Sequence, residues 1–392
     1  MSHPVLNTLA AIAGVLALCG AGYYALCIWS ARTFLRDCRR SRERNDRSEF
    51  TPPVSILKPL RGTDPAMYEA FRSHCLQDYP EYELIFGVSE ADDPAAELVA
   101  RLKREFPERR IELVVCPRML GANLKVSNLV QMLPQARYEY LLVNDSDIRV
   151  PRGYLRRVMA PLADAQVGMV TSLYRGAAGR TVGSKLEAVG ISTDFAAGVL
   201  AARQIEGVHF ALGATLGFPR SSLNAIGGFE PLLDYLADDY ELGARISAVG
   251  HEVAMADVVV DTHVPDYDFG GYWNHQLRWA RSTRDSRRWG HLGLVLTFGL
   301  PWALIALALS RGQAWAWGML AVAAVVRVAM ALAVGKSVLR DPQIPGDLWL
   351  LPLRDVLALL IWIASYAGRT VAWRGDQFIL EDGKLKAVEA KG

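Results

Sequence analysis

The stretch Tyr138–Val150 reads YEYLLVNDSDIRV and changes character halfway along. Its apolar run Leu141–Val143 predicts a short strand buried in a parallel sheet. Polar residues follow at once and include Asp145 and Asp147. Residues two apart in an extended backbone point to the same side. We therefore expect both carboxylates to project together from the carboxyl end of this strand.

The carboxyl ends of strands are where open α/β sheets bind their ligands. Two hard carboxylates at such an edge suit a divalent cation, Mg²⁺ or Mn²⁺, which completes its shell with substrate phosphates and water. Asp145 and Asp147 are thus candidate metal ligands. The alternative is an acidic turn that only caps the strand.

Strands and helices alternate on both sides of this stretch. The order βαβαβαβ up to the central strand predicts a mostly parallel, nucleotide-binding α/β sheet. The expected strands are Val54–Leu60, Tyr82–Val88, Ile111–Val115, Val167–Tyr174 and Val253–Val260. The expected helices are Asp64–Gln77, Pro94–Phe106, Leu124–Leu133, Tyr154–Pro161, Gly183–Ala202 and Asp234–Val249. Glycine-rich patches at Ala211–Phe218 and Ile226–Phe229 allow a close backbone approach.

The chain also carries long apolar segments, and 51% of its 392 residues are hydrophobic. Val5–Trp29 has no charge and is long enough to span a bilayer. No lysine or arginine precedes it, but several arginines follow, so the positive-inside rule places the α/β domain in the cytoplasm. A cleaved signal peptide carries its charge first, which makes this segment an anchor.

Three further apolar segments follow the α/β pattern, at Leu292–Leu309, Ala314–Val334 and Leu348–Ala367. Three full spans would export the basic tail and break the charge rule, so one segment is expected to lie in-plane or re-entrant. The last segment is our choice because Pro352, Arg354 and Asp355 interrupt it. A multi-pass protein of the inner (cytoplasmic) membrane is expected.

The predicted organisation is an anchor (1–30), a basic linker (31–52), the α/β domain (53–288), a membrane region (289–367) and a cytoplasmic tail (368–392). The five cysteines are odd in number and unclustered, which indicates neither a disulfide framework nor a zinc site. A net charge of +2 gives no indication of nucleic-acid binding.

Two further acidic pairs stand where an element begins. Asp92 and Asp93 follow a strand and precede Pro94, so they form either a ligand site or a helix cap. Asp238 and Asp239 stand early in a helix, whose dipole keeps carboxylates ionised. Such a carboxylate suits a catalytic base for a sugar or lipid hydroxyl, and the plain alternative is a pair of helix-start acids.

The basic stretch HQLRWARSTRDSRRWG begins at His275. On a helix His275, Arg278 and Arg281 share one face, with Trp279 beside them. Arginine can hold a diphosphate through bidentate contacts. The alternative is ordinary anchoring at the membrane interface.

Taken in order, ADDP, DSD, LADDY and QLRW resemble the motifs of membrane-bound family 2-type glycosyltransferases with a GT-A fold. The resemblance is greater to the family 21 branch, the ceramide glucosyltransferases, and within it to the bacterial hopanoid biosynthesis-associated glycosyltransferases. The shared motifs are LKPLRG (Leu57–Gly62), DDPA (Asp92–Ala95), G-x-N-x-K-x-x-N-L (Gly121–Leu129), DS-x-IRV (Asp145–Val150), DDY (Asp238–Tyr240) and W-R-G (Trp373–Gly375).

This resemblance implies a role for each aspartate motif. Asp92 is expected to contact the uracil or ribose, and Asp145 to bind metal and diphosphate. Asp239 is the expected base. Asp147 stands where eukaryotic members have glycine, which gives a complete Asp-x-Asp.

The substrate-binding residues implied by the same motifs are Asp92, Lys125, Asp238, His275, Gln276, Arg278 and Trp279. The chain departs from the family pattern twice. His275 replaces the leading Gln or Arg of the (Q/R)-x-x-R-W motif, and Asp194–Phe195 stands in the region where eukaryotic ceramide enzymes carry His-Pro.

The resemblance implies an inverting glycosyltransferase that moves a sugar from UDP-N-acetylglucosamine or UDP-glucose to a lipid hydroxyl, that of a hopanoid polyol. A ceramide glucosyltransferase is the alternative. A processive polysaccharide synthase shares the motifs but needs more membrane spans than the chain offers. An inactive membrane scaffold would not need the complete set of acids.

Overall fold

The computed structural model describes residues 3–45, 49–373 and 376–387. The chain divides into two compact units. The helical unit comprises Met1–Arg36, Ala178–Ile205 and Val264–Asp382, and the α/β unit comprises Asp37–Ala177, Glu206–His263 and Gly383–Gly392. This division differs from the predicted α/β domain of residues 53–288, because the chain leaves that domain twice to join the helical unit.

The α/β unit is built on a sheet that has eight strands within the described residues. They are β1 (Val54–Pro59), β2 (Tyr82–Val88), β3 (Arg110–Val115), β4 (Tyr140–Val143), β5 (Ile148–Arg149), β6 (Val167–Ala178), β7 (Leu216–Pro219) and β8 (Glu252–Val264). The strand order is β3-β2-β1-β4-β7-β6-β8-β5. Strands β1 to β4 pair in parallel, as predicted. Strand β7 runs antiparallel to β4 and β6, and β5 runs antiparallel to β8.

The sheet buries both of its faces, which explains the unbroken apolar runs of its central strands. Alternate residues of β2 point to opposite faces. Leu84 and Phe86 pack into one hydrophobic core, and Ile85 packs into the other. Strand β4 divides in the same way, with Leu142 in the first core and Leu141 and Val143 in the second.

The helices of the chain follow the predicted order with small shifts at their ends. They are α1 (His3–Asn45), α2 (Met67–Cys75), α3 (Ala95–Glu105), α4 (Leu124–Met132), α5 (Tyr154–Met159), α6 (Val182–Gly190), α7 (Ala196–Ile205), α8 (Arg220–Ala225), α9 (Asp238–Ala248), α10 (Phe269–Ser286), α11 (Arg288–Gly293), α12 (Gly299–Leu309), α13 (Ala314–Ala331), α14 (Ile344–Asp347) and α15 (Leu351–Ser365). Helices α6 and α7 are joined by the π-helix Ile191–Phe195, and a second π-helix, Leu332–Val338, follows α13.

Helix α1 runs without interruption over 43 residues. Residues 31–45, predicted as part of a basic linker, are therefore helical. Arg42 near its end donates to the buried Asp257 carboxylate of β8, with Nε 2.9 Å from Oδ2. This ion pair stabilises the last turns of the helix. The charged sequence of these turns does not by itself predict such a contact.

Among the described residues, three helical segments are long and apolar enough to cross a membrane, namely His3–Glu43, Ala314–Val338 and Ile344–Ser365. A fourth, formed by Arg288–Thr297 and Gly299–Leu309, is bent by 52° at its centre. The sequence prediction placed the non-spanning segment at Leu348–Ala367. In the structure the first C-terminal segment is the bent one, and the last forms a helix long and apolar enough to span, so the prediction about the last segment stays a prediction.

Helix α1 packs tightly against the point where that segment bends. A Cβ on Gly20 would lie 2.3 Å from the Gly299 Cα, so the two backbones touch through glycines. The Leu300 N–H beside the break donates to the Tyr24 hydroxyl at 3.3 Å. The anchor thus supplies a hydrogen-bond acceptor to a backbone group at the start of a broken helix.

The C-terminal end contains strands β9 (Thr370–Trp373), β10 (Asp376–Glu381) and β11 (Lys384–Ala387). Strands β9 and β10 pair antiparallel within the helical unit. Arg374 and Gly375 of the W-R-G motif lie outside the described residues, as do residues 388–392 of the predicted tail.

Candidate active site

The two aspartates of the central stretch lie on a turn after β4. The Ile148 N–H donates to the Asp145 carbonyl at 3.4 Å, which closes the turn. The expectation of an extended backbone here is therefore wrong. The carboxylates are nevertheless close enough to interact, because the pKa of Asp147 is raised first by burial and then by the negative charge of Asp145. Thr262 Oγ1 donates to Asp147 Oδ2 at 2.5 Å.

Lys125 of helix α4 connects two of the acidic motifs. Its Nζ lies 2.8 Å from Asp145 Oδ1 and 3.0 Å from Asp238 Oδ2. Burial opposes the charge of this ammonium group, but the carboxylates outweigh it and raise the lysine's pKa. Asn123 caps α4 by accepting from the Val126 N–H, and its amide donates to Asp238 Oδ1 at 3.3 Å. Lys125 and Asp238, both predicted to bind substrate, here bind each other.

Asp239 is the second residue of helix α9 and follows Asp238 of this bridge. Its Oδ1 accepts from the Tyr240 N–H at 2.9 Å. Burial, reinforced by the charge of Asp238, raises the pKa of Asp239 to about 6. A carboxylate with this pKa is ionised at neutral pH and more basic than an exposed one, as a proton acceptor should be.

Gly213, in the loop before β7, shows where the carboxylates converge. A Cβ at this position would lie 3.1 Å from Asp145 Oδ2 and 3.1 Å from Asp239 Oδ2. The space above this glycine is therefore bordered by the predicted metal ligand and the predicted base. The glycine-rich patch at Ala211–Phe218 was expected to allow a close approach, and the structure identifies the groups that approach.

A fully buried polar network supports this turn from below. The Asn144 amide donates to the Tyr154 hydroxyl at 2.8 Å and to the Ala214 carbonyl at 2.6 Å. The Tyr154 hydroxyl lies 2.9 Å from Thr215 Oγ1, and His74 Nε2 lies 3.2 Å from Asn144 Oδ1. Asn144 thus fixes the start of the acidic turn to the loop that holds Gly213.

Lys58, at the end of β1, is a site residue that the sequence reasoning missed. It is fully buried, and its Nζ donates to the Asp145 carbonyl at 3.0 Å. Burial lowers the pKa of Lys58 to about 7, and the charges of Asp147 and Asp145 oppose that change. A lysine inside an otherwise buried strand, in the LKPLRG motif, was the signal that could have found it.

The Asp92–Asp93 pair divides its roles. The Asp93 carboxylate accepts from the Gly62 N–H at 3.0 Å and from the Ala95 N–H at 2.8 Å. Asp93 therefore ties a loop to the start of α3, as the capping interpretation expected. Asp92 is exposed, so its carboxylate can be reached by a ligand.

The acidic turn can hold a cation, although it cannot enclose one. Within residues 3–45, 49–373 and 376–387, no group of three or more His, Cys, Asp and Glu side chains is placed to bind a metal. Asp145 and Asp147 both offer carboxylate oxygens, which are hard ligands. The Asp145 side chain is 41% exposed, so a cation can reach it. A cation here would relieve the repulsion between the two carboxylates and take its remaining ligands from substrate phosphates and water.

The other predicted site residues lie on helix α10 of the helical unit. His275 Nδ1 pairs with the buried Glu187 carboxylate at 3.0 Å. Trp279 packs against the rings of His275 and Phe195. Gln276 and Arg278 stand on the same helix, and Gln276 Oε1 accepts from Arg354 Nη2 at 3.5 Å.

The fold is that of a GT-A glycosyltransferase, as predicted. The solved structure of the mannosyltransferase PcManGT from Pyrobaculum calidifontis, in complex with GDP-Man and Mn2+, superposes with a TM-score of 0.54. That match covers 92% of this chain and 98% of the other at 20% sequence identity, so it concerns the fold alone.

The family model described as glycosyl transferase family 21 matches residues 12–386, and the chain belongs to that family. Ceramide glucosyltransferase 1 of Caenorhabditis elegans is 26% identical over 231 residues, which are 59% of this chain and 49% of that protein. A ceramide glucosyltransferase of Komagataella phaffii is 32% identical over 108 residues, covering 26% of this chain and 21% of that protein. The chain therefore spans about half, or less, of the length of these relatives.

Proposed function

We propose that the protein is a membrane-bound inverting glycosyltransferase that moves a sugar from a UDP-sugar to the hydroxyl of a membrane lipid. The observation that carries this proposal is the convergence of Asp145 and Asp239 on the space above Gly213. It occurs in a chain of family 21 that also contains helices long enough to cross a bilayer.

The chemistry assigns one task to each carboxylate. Asp145 and Asp147 would hold a divalent cation, which when bound would neutralise the diphosphate and so favour its departure. Asp239 accepts the proton of the lipid hydroxyl. The hydroxyl oxygen then bonds to the anomeric carbon as the carbon–diphosphate bond breaks, and attack from the opposite face inverts that carbon. The nucleoside diphosphate departs.

The remaining site residues hold the substrates. Lys125 compensates the charges of Asp145 and Asp238 and so holds these two carboxylates in place between turnovers. The exposed Asp92 contacts the uracil or the ribose. His275, Gln276, Arg278 and Trp279 of α10 bind substrate, and the Arg278 guanidinium stabilises the leaving diphosphate.

A hopanoid polyol is our first acceptor, with UDP-N-acetylglucosamine or UDP-glucose as donor. Ceramide with UDP-glucose is the second candidate, which the names of the two relatives support. A polysaccharide synthase is disfavoured, because three segments of the described chain, or four with the bent one, have the length and composition of a span. We propose the inner membrane as the location, with the acidic edge facing the cytoplasm.

The test is a donor-by-acceptor screen with the full-length protein purified in detergent. Each of UDP-glucose and UDP-N-acetylglucosamine is incubated with a hopanoid polyol or with ceramide, and products are identified by mass. We expect one glycolipid, formed by the wild type and formed about a hundredfold more slowly, or slower still, by an Asp239→Asn variant. Donor consumption with a polymeric product, or with no lipid product from any pair, would overturn the proposal.

A further inference from the structure

A cluster of four charged side chains lies largely inside the helical unit, and one of them, Asp194, reaches the surface. Arg327 of α13 is 1% exposed and donates to both carboxylate oxygens of Asp355 at 2.8 and 2.9 Å. The same guanidinium donates to Asp194 Oδ1 at 2.8 Å. Arg354, next to Asp355 on α15, is the fourth member. Two positive and two negative charges leave the cluster neutral overall.

Several polar atoms of this cluster are buried without a hydrogen-bond partner, and Arg327 Nη1 is one of them. Arg354 Nε and Nη1 are buried without a partner, as is Asp194 Oδ2, whose nearest cation is Arg354 Nη2 at 3.6 Å. The Tyr272 hydroxyl is fully buried and also lacks a partner. A buried polar group without a partner costs stability, so such groups in one place call for an explanation.

These unpartnered atoms belong to one neighbourhood. Tyr272 and Gln276 are four residues apart on α10 and so share a face of that helix. Arg354 donates to Gln276 on that face, at 3.5 Å, and also faces Asp194. The hydroxyl, the guanidinium and the carboxylate therefore line the same region of the unit.

The backbone around the cluster is specialised to create it. Asp194 lies within the π-helix Ile191–Phe195, and single π-turns inside helices occur frequently at functional sites. A Cβ on Gly190 would lie 2.5 Å from Arg354 Nε, so only glycine leaves room for the guanidinium at its present position. The π-helix interrupts regular helix structure, and Gly190 leaves space beside it. Together they allow the Asp194 and Arg354 side chains to lie close to each other.

The cluster is accessible at one end. The Asp194 side chain is 32% exposed, whereas that of Asp355 is 5% exposed. A ligand would therefore meet Asp194 first, because the Arg327–Asp355 pair lies deeper in the unit. This gradient separates the members that can bind a ligand from those that support the site.

We propose that Asp194, Arg354 and Tyr272 bind the polar head group of the acceptor lipid through a hydroxyl or amide that does not itself react. The inference rests on the proposed function and assigns the acceptor subsite within it. The available atoms are guanidinium donors, a carboxylate acceptor and a phenol that can do either. A neutral group with both a donor and an acceptor can pair with a donor and an acceptor among these atoms.

The charge of the cluster decides the class of head group. Because the two arginines are already paired with Asp194 and Asp355, a phosphate would bring an uncompensated negative charge into a buried site. A polyol or an amide alcohol brings none. The subsite therefore selects neutral, hydroxylated lipids over anionic phospholipids.

A purely structural role for the cluster makes a different prediction for one atom. The Tyr272 hydroxyl has no partner in the protein, so a Tyr272→Phe change removes nothing that holds the fold together. If the cluster only joins helices, this variant should be as stable and as active as the wild type. If the hydroxyl binds the acceptor, the variant should lose acceptor affinity alone.

The experiment measures KM for acceptor and donor, and the melting temperature, of the full-length enzyme in detergent. For Tyr272→Phe we expect KM for the lipid to rise about five- to tenfold, the loss of one hydrogen bond, with donor KM and melting temperature unchanged. The matched control is Tyr24→Phe. Its hydroxyl accepts from the Leu300 N–H, so this variant should melt lower and keep the wild-type acceptor KM.

Asp194→Asn is the second variant and should also raise KM for the lipid, while leaving donor KM unchanged. Unchanged acceptor KM in both variants would overturn this inference and leave the proposed function standing. A wild-type enzyme that forms no glycolipid would contradict the proposed function itself, and the subsite with it. A rise in donor KM instead would assign these residues to the nucleotide sugar.

Discussion

At the scale of single residues, the site depends on a side chain that is absent. Gly213 leaves open the space that Asp145 Oδ2 and Asp239 Oδ2 border. A reacting group must occupy that space if one carboxylate holds the diphosphate through a cation and the other accepts a proton. The requirement for glycine at this position is therefore a chemical one, because a side chain would fill the space that the reacting group needs.

A Gly213→Ala variant should lose most of its activity and keep its fold, because the methyl group would fill the space between the two carboxylates. The matched control is Gly153→Ala, whose added Cβ would meet nothing within 4 Å. Glycolipid formation and melting temperature check both variants. Full activity of Gly213→Ala would show that the reaction takes place elsewhere.

Asp239→Asn should lower kcat by about two orders of magnitude or more, the usual contribution of a general base, without weakening donor binding. Because the pKa of Asp239 is raised to about 6, the carboxylate gains a proton below that pH and can no longer accept one. The wild-type rate should therefore fall as the pH drops through about 6. The variant should lack this acid limb. If KM for the donor rose while kcat held, Asp239 would be a ligand contact.

Asp145→Asn should abolish the response to divalent cations, and Asp147→Asn should cost less. Asp145 faces both Lys125 and the space at Gly213, whereas one oxygen of Asp147 already accepts from Thr262. The rates of both variants and of the wild type are measured with Mg²⁺, with Mn²⁺ and in excess EDTA. Full turnover of the wild type in EDTA would rule out the cation.

At the scale of secondary-structure elements, the end of α1 shows how a distant contact determines local structure. Asp257 of β8 is buried, with a side chain that is 2% exposed. It accepts from Arg42 at 2.9 Å and from Arg157 at 2.8 Å. The charged turns that resembled a linker are held as helix by a carboxylate more than two hundred residues later in the chain.

Asp257→Ala should destabilise the α/β unit by about 3 kcal/mol, because it leaves two arginines facing an empty buried position. Asp78→Ala removes an exposed partner of Arg156 at 3.8 Å and should cost less than about 1 kcal/mol. Thermal unfolding of both variants in detergent provides the comparison. Equal melting temperatures would mean that the Arg42 pair contributes little.

Elements with a strong periodic signal were predictable, and short or context-dependent ones were not. Strands β1, β2 and β4 were predicted because each is a largely buried apolar run, and β3 was predicted from its apolar residues although it is only partly buried at the edge of the sheet. Strand β5 has two residues and β7 has four, so neither carries a pattern of its own. Both are defined by their pairing, β5 with β8, and β7 with β4 and β6.

The site was predictable to the level of its residue types and not of their partners. The spacing of the motifs identified the aspartates and Lys125. Only the fold shows that Lys125 joins Asp145 to Asp238, or that Lys58 supports the turn from beneath. These contacts join segments that are at least twenty residues apart in the sequence. A single sequence does not show which distant segments lie close together in space.

At the scale of the whole molecule, the bend at Phe298 offers a simple solution to the charge problem. If residues 288–309 enter the bilayer and return on the same side, the segments Ala314–Val338 and Ile344–Ser365 form a pair that crosses and comes back. The basic tail then stays on the side of the α/β unit, as the positive-inside rule requires. In this arrangement the tail stays on the predicted side of the membrane. The segment that does not span is then residues 288–309 and not Leu348–Ala367.

Two single-cysteine variants in a cysteine-free background should distinguish the possible topologies. We expect Ala314→Cys and Glu381→Cys both to resist a membrane-impermeant maleimide in intact cells and to react after lysis. Labelling of Ala314→Cys alone would make residues 288–309 a full span and the last segment in-plane. Labelling of both before lysis would make every C-terminal segment a span and place the tail outside.

The contact of Gly20 with Gly299 limits what could replace the first helix. A simple membrane anchor needs only sufficient length and hydrophobicity, and a polyleucine helix would meet both requirements. Such a substitute would offer neither a bare backbone for Gly299 to rest against nor a phenol oxygen for the Leu300 N–H. Helix α1 is therefore a specifically fitted component. It is synthesised nearly three hundred residues before the broken helix with which it makes these contacts.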